Sequence, residues 1–173
     1  MANTAVIVID LQNDYFPGGA YPQWQAQQVT ERTLGLIERA RQQGMPVVLV
    51  QHLADVSAGL APFFNPGTPG AKIHDSVLQA AEDAEVVVKG FADGFEGTNL
   101  DEVLQRLGVE RILLCGMMTQ NCVTHTALSK AAERYRPVVL ADCTSSVDER
   151  IHQIALNALS IRVPVLSTER ALA

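Results

Sequence analysis

The stretch AVIVID at residues 5–10 decides the fold, because a run of apolar residues ends there abruptly on an aspartate. A run with no polar alternation is typical of a strand that is buried on both faces of a parallel sheet. Further runs rich in Val, Ile or Leu follow at residues 47–50, 85–88, 111–115, 137–141 and 163–166. Helical patterns lie among them at residues 24–42, 99–107, 120–134 and 149–159.

Strands that alternate with helices favour parallel pairing through right-handed crossovers, and therefore a three-layer α/β/α sandwich. The runs predict a six-stranded parallel sheet, for which the Rossmann-like order 3-2-1-4-5-6 is the commonest arrangement. We expect a single domain over residues 1–173, because 47% hydrophobic residues suffice for one core at this length. The irregular stretch at residues 52–73, rich in Gly and Pro, predicts a lid or a binding wall.

Composition excludes several classes of protein. The formal charge of -6 comes without any cluster of Lys and Arg, which disfavours a nucleic-acid partner. No apolar run approaches the ~18 residues of a membrane span, and the start lacks the basic segment of a signal peptide. Three cysteines without a C-x-x-C pair suit a reducing compartment, so we expect a cytoplasmic protein.

Polar side chains follow the predicted strands at the edge where open α/β sheets bind ligands. Asp10 follows the first run, His52 lies just beyond the second, Lys89 follows the third, and Cys122 comes shortly after the fourth. A carboxylate, an ammonium and a thiol would therefore share one crevice. The sequence predicts an active site there.

Cys122 is the candidate nucleophile. Thr119 is a plausible N-cap for the helix at residues 120–134, which would place Cys122 in its first turn. The partial positive charge of a helix start and a nearby ammonium such as Lys89 favour the thiolate, and a carboxylate such as Asp10 could take the thiol proton.

Each candidate also has a purely structural interpretation. A lone cysteine is usually a small buried hydrophobe, an aspartate after a strand can order a turn, and a lysine there is usually solvated. Cys115 and Cys143 end or follow apolar runs, and we interpret them as core residues. The remaining histidines are expected to be surface or structural residues: His74, His125 and His152.

Four segments, in order along the chain, carry a family resemblance. They are VIVIDLQND at residues 6–14, FNPGTPGAKI at 64–73, FEGTNL at 95–100 with Lys89 before it, and GMMTQNCV at 116–123. Together they resemble the isochorismatase-like hydrolases, which include nicotinamidases, N-carbamoylsarcosine amidase and related cysteine amidases. The resemblance spans nearly the whole chain.

The resemblance implies a Cys–Asp–Lys triad. Asp10 would take the thiol proton, Cys122 would attack a carbonyl, and Lys89 would hold both groups in their charged forms. The backbone N–H groups of Met118 and Cys122 would form the oxyanion hole, with a cis peptide between Met117 and Met118. The family also implies a small-molecule substrate, no cofactor, and assembly as a homodimer or homotetramer.

Two departures from the family pattern limit what can be transferred. Nicotinamidases carry a metal-binding D-x-H after the second strand, whereas residues 50–55 read VQHLAD. Because Zn²⁺ needs at least three protein donors, we expect no metal, and His52 is left to contact substrate or order the loop. Asp93 stands where many members have serine, which would alter the pocket wall or add a second carboxylate.

Aromatic residues close to the predicted crevice could enclose a small ligand, although ordinary packing is the alternative for each. With His52, they are the candidate substrate-binding residues: Phe16, Trp24, Phe63 and Phe64.

The leading hypothesis is a metal-free hydrolase that cleaves a small amide, ureide or related C–N bond through a Cys122 acyl-enzyme. An alternative is vinyl-ether hydrolysis of the isochorismatase type, in which Asp10 protonates the substrate and the thiol is dispensable. A non-catalytic ligand-binding module on the same fold is a third possibility. A redox role for Cys122 lacks an adjacent resolving cysteine.

Overall fold

The computed structural model describes residues 3–173, and six strands form one sheet. The strands are β1 (Thr4–Ile9), β2 (Val47–His52), β3 (Glu85–Lys89), β4 (Arg111–Met117), β5 (Val138–Ser145) and β6 (Val165–Leu166). All neighbouring pairs are parallel, and the order is β3-β2-β1-β4-β5-β6. The predicted α/β class and strand order are confirmed.

Helices connect the strands and pack on both faces of the sheet. They are α1 (Ala26–Gln42), α2 (Asp75–Ala80), α3 (Leu100–Arg106), α4 (Thr124–Leu128), α5 (Glu149–Ser160) and α6 (Thr168–Ala171). Short 3-10 turns lie at Asn13–Tyr15, Pro69–Ala71 and Ala132–Tyr135. Within residues 3–173, no helix has the length and apolar character needed to cross a lipid bilayer.

The single helix predicted at residues 120–134 is wrong. A π-helical turn at Thr119–Val123 leads into α4, which ends at Leu128 because Ser129 has an extended ψ of 139°. Apolar residues continue at helical spacing past this break, so the pattern alone does not reveal it. The sequence analysis also missed α2, whose six residues are too few for a periodic signal.

Two apolar clusters fill the space on either side of the sheet. Val6 and Val8 of β1 point into the cluster that contains α1, whereas Ile7 and Ile9 point into the cluster that contains α3. Because successive side chains of a strand face opposite sides, a strand covered on both sides must be apolar at every position. This is why residues 5–9 lack alternation.

The central pair of strands approaches closely just below the site. Ile9 of β1 lies opposite Gly116 of β4, which has a φ of +111°. A Cβ atom added at Gly116 would lie 1.9 Å from the backbone oxygen of Ile9. Only glycine fits this position, and the close approach brings the ends of β1 and β4 together.

Hydrogen bonds fix the irregular stretch that follows β2, at residues 53–73, against the rest of the structure. The Ala54 N–H donates to the Phe64 carbonyl at 3.0 Å, and the Phe64 N–H donates to Asp14 Oδ2 at 2.7 Å. An added Cβ atom at Gly70 would lie 2.0 Å from the Asp14 carboxylate. The segment therefore closes over the end of the sheet and is held there by Asp14.

We expect Gly116→Ala to lower the free energy of unfolding by more than about 3 kcal/mol, because it adds both a steric clash and a strained φ. Gly35→Ala is the matched control, since Gly35 is an exposed residue of α1 with open space around its Cα. That change should stabilise the protein by about 0.5–1 kcal/mol. Urea unfolding measures both, and a wild-type midpoint for Gly116→Ala would contradict the packing described here.

Candidate active site

Four side chains from four parts of the chain meet at the carboxyl edge of the sheet. The Lys89 Nζ atom lies 2.9 Å from Asp10 Oδ2, 3.2 Å from Cys122 Sγ and 2.7 Å from His52 Nδ1. Asp10 is 0% exposed, and Lys89 and Cys122 are each 2% exposed. The structure therefore brings the three predicted catalytic residues together in the protein interior and adds His52 to them.

The Lys89 ammonium donates hydrogen bonds to three acceptors, none of which belongs to Asp10. It donates to His52 Nδ1, to the Phe91 carbonyl at 3.1 Å and to Cys122 Sγ. Asp10 forms an ion pair with the ammonium, but neither of its carboxylate oxygens accepts a hydrogen bond from the described residues. Those oxygens therefore keep lone pairs that can take a proton from a neighbouring thiol.

Electrostatics keep the ammonium charged and the imidazole neutral. Burial acts to lower the pKa of Lys89, but its interactions with the Asp10 carboxylate and the Cys122 sulfur outweigh burial and raise that pKa. Burial lowers the pKa of His52, and the Lys89 charge lowers it further. His52 is thus neutral at pH 7, with Nδ1 as a hydrogen-bond acceptor.

The helix start and Lys89 favour the Cys122 thiolate, as the sequence predicts, but the depth of the sulfur opposes its ionisation. Burial raises the pKa of the Cys122 thiol, and the Asp10 charge raises it further, against the opposing effect of Lys89. Sequence position indicates a helix start but not how completely the sulfur is dehydrated. The resting site therefore contains a thiol, a carboxylate and an ammonium.

Buried hydrogen bonds to later parts of the chain fix the turn at Thr119–Val123, which carries Cys122. Thr119 is no N-cap: its Oγ1 donates to the Ser145 carbonyl at 2.9 Å and lies 2.8 Å from His152 Nδ1. The Ser146 hydroxyl donates to Gln120 Oε1 at 2.6 Å. The ends of β5 and α5 thus fix the turn, and His152 is a buried structural residue, whose pKa burial lowers.

The backbone before Cys122 has the geometry of a donor site. The peptide bond between Met117 and Met118 is cis. The Met118 carbonyl accepts hydrogen bonds from the N–H groups of Asn121 at 3.0 Å and Val123 at 3.2 Å. Within residues 3–173, no backbone acceptor is found for the Met118 N–H. The role of the Met118 and Cys122 N–H groups in an oxyanion hole stays a prediction.

The aromatic candidates divide into two groups by location. The Phe64 ring lies 6.0 Å from the His52 ring, and Phe63 packs edge-on against Phe64 at 5.0 Å. Phe16 instead packs on His74 at 4.3 Å, and Trp24 lies 5.8 Å from His152. Substrate contact by these aromatic residues stays a prediction.

Sequence reasoning missed Tyr15, which is buried beside the site. Its ring lies 4.5 Å from that of Phe64, and burial together with the Asp10 charge raises its pKa. Its position directly after the D-x-Q-N-D segment was a usable signal. Asp93 orders a local turn, because its Oδ1 accepts the Phe95 N–H at 2.8 Å.

The chain is similar to members of one protein family over most of its length. The family model for the isochorismatase domain matches residues 4–170. The isochorismatase family protein YddQ of Bacillus subtilis is 35% identical over 86% of this chain and 81% of its own length. Streptothricin hydrolase of Streptomyces noursei is 34% identical over 83% of this chain and 50% of its own length.

A solved structure shares the fold throughout. The crystal structure of the pyrazinamidase of Pyrococcus horikoshii in complex with zinc has a TM-score of 0.85 to this chain. It is 27% identical, and the match covers 95% of this chain and 99% of that one.

The residues present here do not fit a metal ion at the cluster. Ligand atoms of Asp10, His52 and Cys122 all lie within 4.8 Å of one another, which suits a cation in principle. The Lys89 ammonium, however, already lies within 3.2 Å of an atom from each of the three residues. A divalent cation among them would meet that positive charge at contact distance, so the cluster is built around the ammonium.

We expect Lys89→Met to lower the free energy of unfolding by about 3–5 kcal/mol, because it leaves the buried Asp10 charge uncompensated. The double variant Lys89→Met with Asp10→Asn should recover part of that loss. Lys130→Met, which removes an exposed ion pair with Glu133, is the control and should change little. Urea unfolding measures all of them, and equal effects of the two lysine changes would contradict the buried pair.

We expect the free energy of unfolding to fall as the pH is lowered below 6.5, the usual histidine pKa. The pKa values of His52 and His152 are lowered in the folded state, so the unfolded chain binds more protons in that window. His152→Asn cannot bind the proton and should give a shallower dependence. Urea unfolding at a series of pH values tests this, and equal slopes for the two proteins would refute it.

Proposed function

The chain belongs to the isochorismatase family of hydrolases, and we propose that it cleaves a small amide, ureide or related C–N bond through Cys122. The observation that carries the proposal is the buried cluster in which Lys89 contacts both the Cys122 sulfur and the Asp10 carboxylate. A thiol, a base and a fixed positive charge within one closed site are the parts that nucleophilic catalysis requires.

The first step is attack by the sulfur. Asp10 takes the thiol proton as Cys122 Sγ bonds to the carbonyl carbon, so that no free thiolate has to accumulate. The Lys89 N–H that points at the sulfur stabilises the negative charge on it during the transfer. The carbonyl oxygen becomes an oxyanion, which the backbone N–H groups of Met118 and Cys122 would stabilise by about 3–4 kcal/mol each.

The later steps return every group to its starting state. The C–N bond breaks, and the leaving nitrogen takes the proton from the Asp10 carboxylic acid, which leaves a thioester on Cys122. Water then attacks the thioester carbonyl while the Asp10 carboxylate takes a proton from it. The C–S bond breaks, the acid product leaves, and the Asp10 proton returns to the sulfur.

The name of one similar protein, a pyrazinamidase, supports the C–N bond of an amide as the target, and the name streptothricin hydrolase supports hydrolysis. Vinyl-ether hydrolysis is the second candidate, because the unbonded carboxylate oxygens of Asp10 would also suit a group that protonates a substrate. The two candidates differ in their need for the sulfur.

We expect Cys122→Ala to lower turnover of a responsive amide or ureide at least about 10³-fold, because it removes the nucleophile. A panel of small amides, ureides and isochorismate would be assayed with wild type and variant in parallel. Intact-mass spectrometry of wild type should detect the acyl-enzyme.

Cys143→Ala is the control, since its thiol lies in the core against Thr168, and it should retain turnover. C–N cleavage that persists in Cys122→Ala would refute the proposal. Isochorismate cleavage that persists there would favour the second candidate.

A further inference from the structure

We propose that His52 is a positioning residue that orients the Lys89 ammonium, so that one N–H points at Cys122 and the Asp10 oxygens stay free. This inference rests on the proposed function, because it assigns how the base of that mechanism is kept available. It gives His52 a role through Lys89 and not through the substrate.

The first argument is a count of donors and acceptors around Lys89. An ammonium has three N–H groups, and the three acceptors in hydrogen-bond geometry are His52 Nδ1, the Phe91 carbonyl and Cys122 Sγ. Asp10 Oδ2 is a fourth neighbour at 2.9 Å and accepts none of them. Two fixed acceptors therefore determine the direction of the third N–H.

The second argument is that His52 is itself held in place. Its backbone N–H donates to Gln12 Oε1 at 2.8 Å, and its carbonyl accepts from Gln12 Nε2 at 2.8 Å. Gln12 is fully buried, and its Nε2 also donates to the Ala71 carbonyl. His52 lies opposite Lys89 in the β2–β3 register, so the two side chains leave neighbouring strand ends from a fixed relative position.

The consequence of losing this acceptor follows from the distances. An N–H released from His52 Nδ1, the shortest contact at 2.7 Å, can turn toward Asp10 Oδ2, which is only 2.9 Å from the nitrogen. That hydrogen bond would favour the charged form of the carboxylate and make it a weaker base toward the thiol proton. Deprotonation of Cys122 would then become slower, although all three triad residues remain.

The arrangement also requires the neutral form of His52. The titratable groups that face it are Lys89 from β3, Asp10 from the end of β1, and the Cys122 thiol beyond the ammonium. A proton on Nδ1 would replace the acceptor by a donor that faces an ammonium. Burial and Lys89 lower the pKa of His52, so this change occurs at a pH below 6.5.

The test measures the rate at which iodoacetamide alkylates Cys122, read by mass spectrometry of the Cys122 peptide from about pH 5 to about pH 9. His52→Phe keeps a ring but has no acceptor, whereas His52→Asn places an amide oxygen near the position of Nδ1 and cannot be protonated. His125→Phe is the control, because His125 is an exposed residue of α4. Thermal unfolding confirms that each variant is folded.

We expect His52→Phe to alkylate about tenfold more slowly than wild type at neutral pH, and His52→Asn to recover most of that rate. In wild type and His125→Phe, the logarithm of the rate should gain an additional slope of about one as the pH falls through the interval in which His52 gains its proton. In His52→Asn that additional slope should be absent. These proteins share every other residue of the site, so the difference between the curves isolates His52.

Equal rates and equal slopes in wild type and the folded His52 variants would overturn the inference. If His52→Phe does not fold, the slope of His52→Asn decides alone. Alkylation needs no substrate, so the proposed function can fail in the turnover assay while these curves still behave as expected. If turnover depends on Cys122 but His52→Asn shows the same pH dependence of alkylation as wild type, only the role of His52 is rejected.

Discussion

The buried contact between the Lys89 ammonium and the Asp10 carboxylate is the constraint on which the rest of the structure depends. Both side chains are 0% exposed, and charges at that depth are tolerated only with a partner and further hydrogen bonds. His52 and the Phe91 carbonyl supply those bonds for the ammonium. Because these groups come from the ends of β1, β2 and β3, only the observed order of strands can assemble them.

Burial also determines which proton moves. It raises the pKa of Cys122, so the sulfur rests as a thiol, and it removes water that could compete for the Asp10 oxygens. In the proposed mechanism the first step is a proton transfer inside a closed site, in which the ammonium would stabilise the developing charge on the sulfur. The segment held by Asp14 and Phe64 closes this edge of the sheet. Dehydration and catalysis thus depend on the same packing.

Much of the fold and the centre of the site could be predicted, because strands buried on both faces leave an unbroken apolar signal and polar residues follow at one edge. Asp10 and Lys89 stand at the ends of such runs, and Cys122 comes shortly after another. The helix at residues 120–134 could not be predicted correctly, since apolar spacing continues across the break at Ser129. Thr119 has the composition of a cap but bonds to Ser145 and His152, which lie on elements much later in the chain.

The sequence by itself determined the fold class and the three candidate side chains at the edge, since periodicity and strand-end position are local properties of a chain. Only the tertiary structure decided how strongly burial opposes the ionisation of Cys122 and how His52 acts as an acceptor for Lys89. Each of these depends on burial depth and on distances of about 3 Å between residues far apart in sequence, and local patterns carry no information about either.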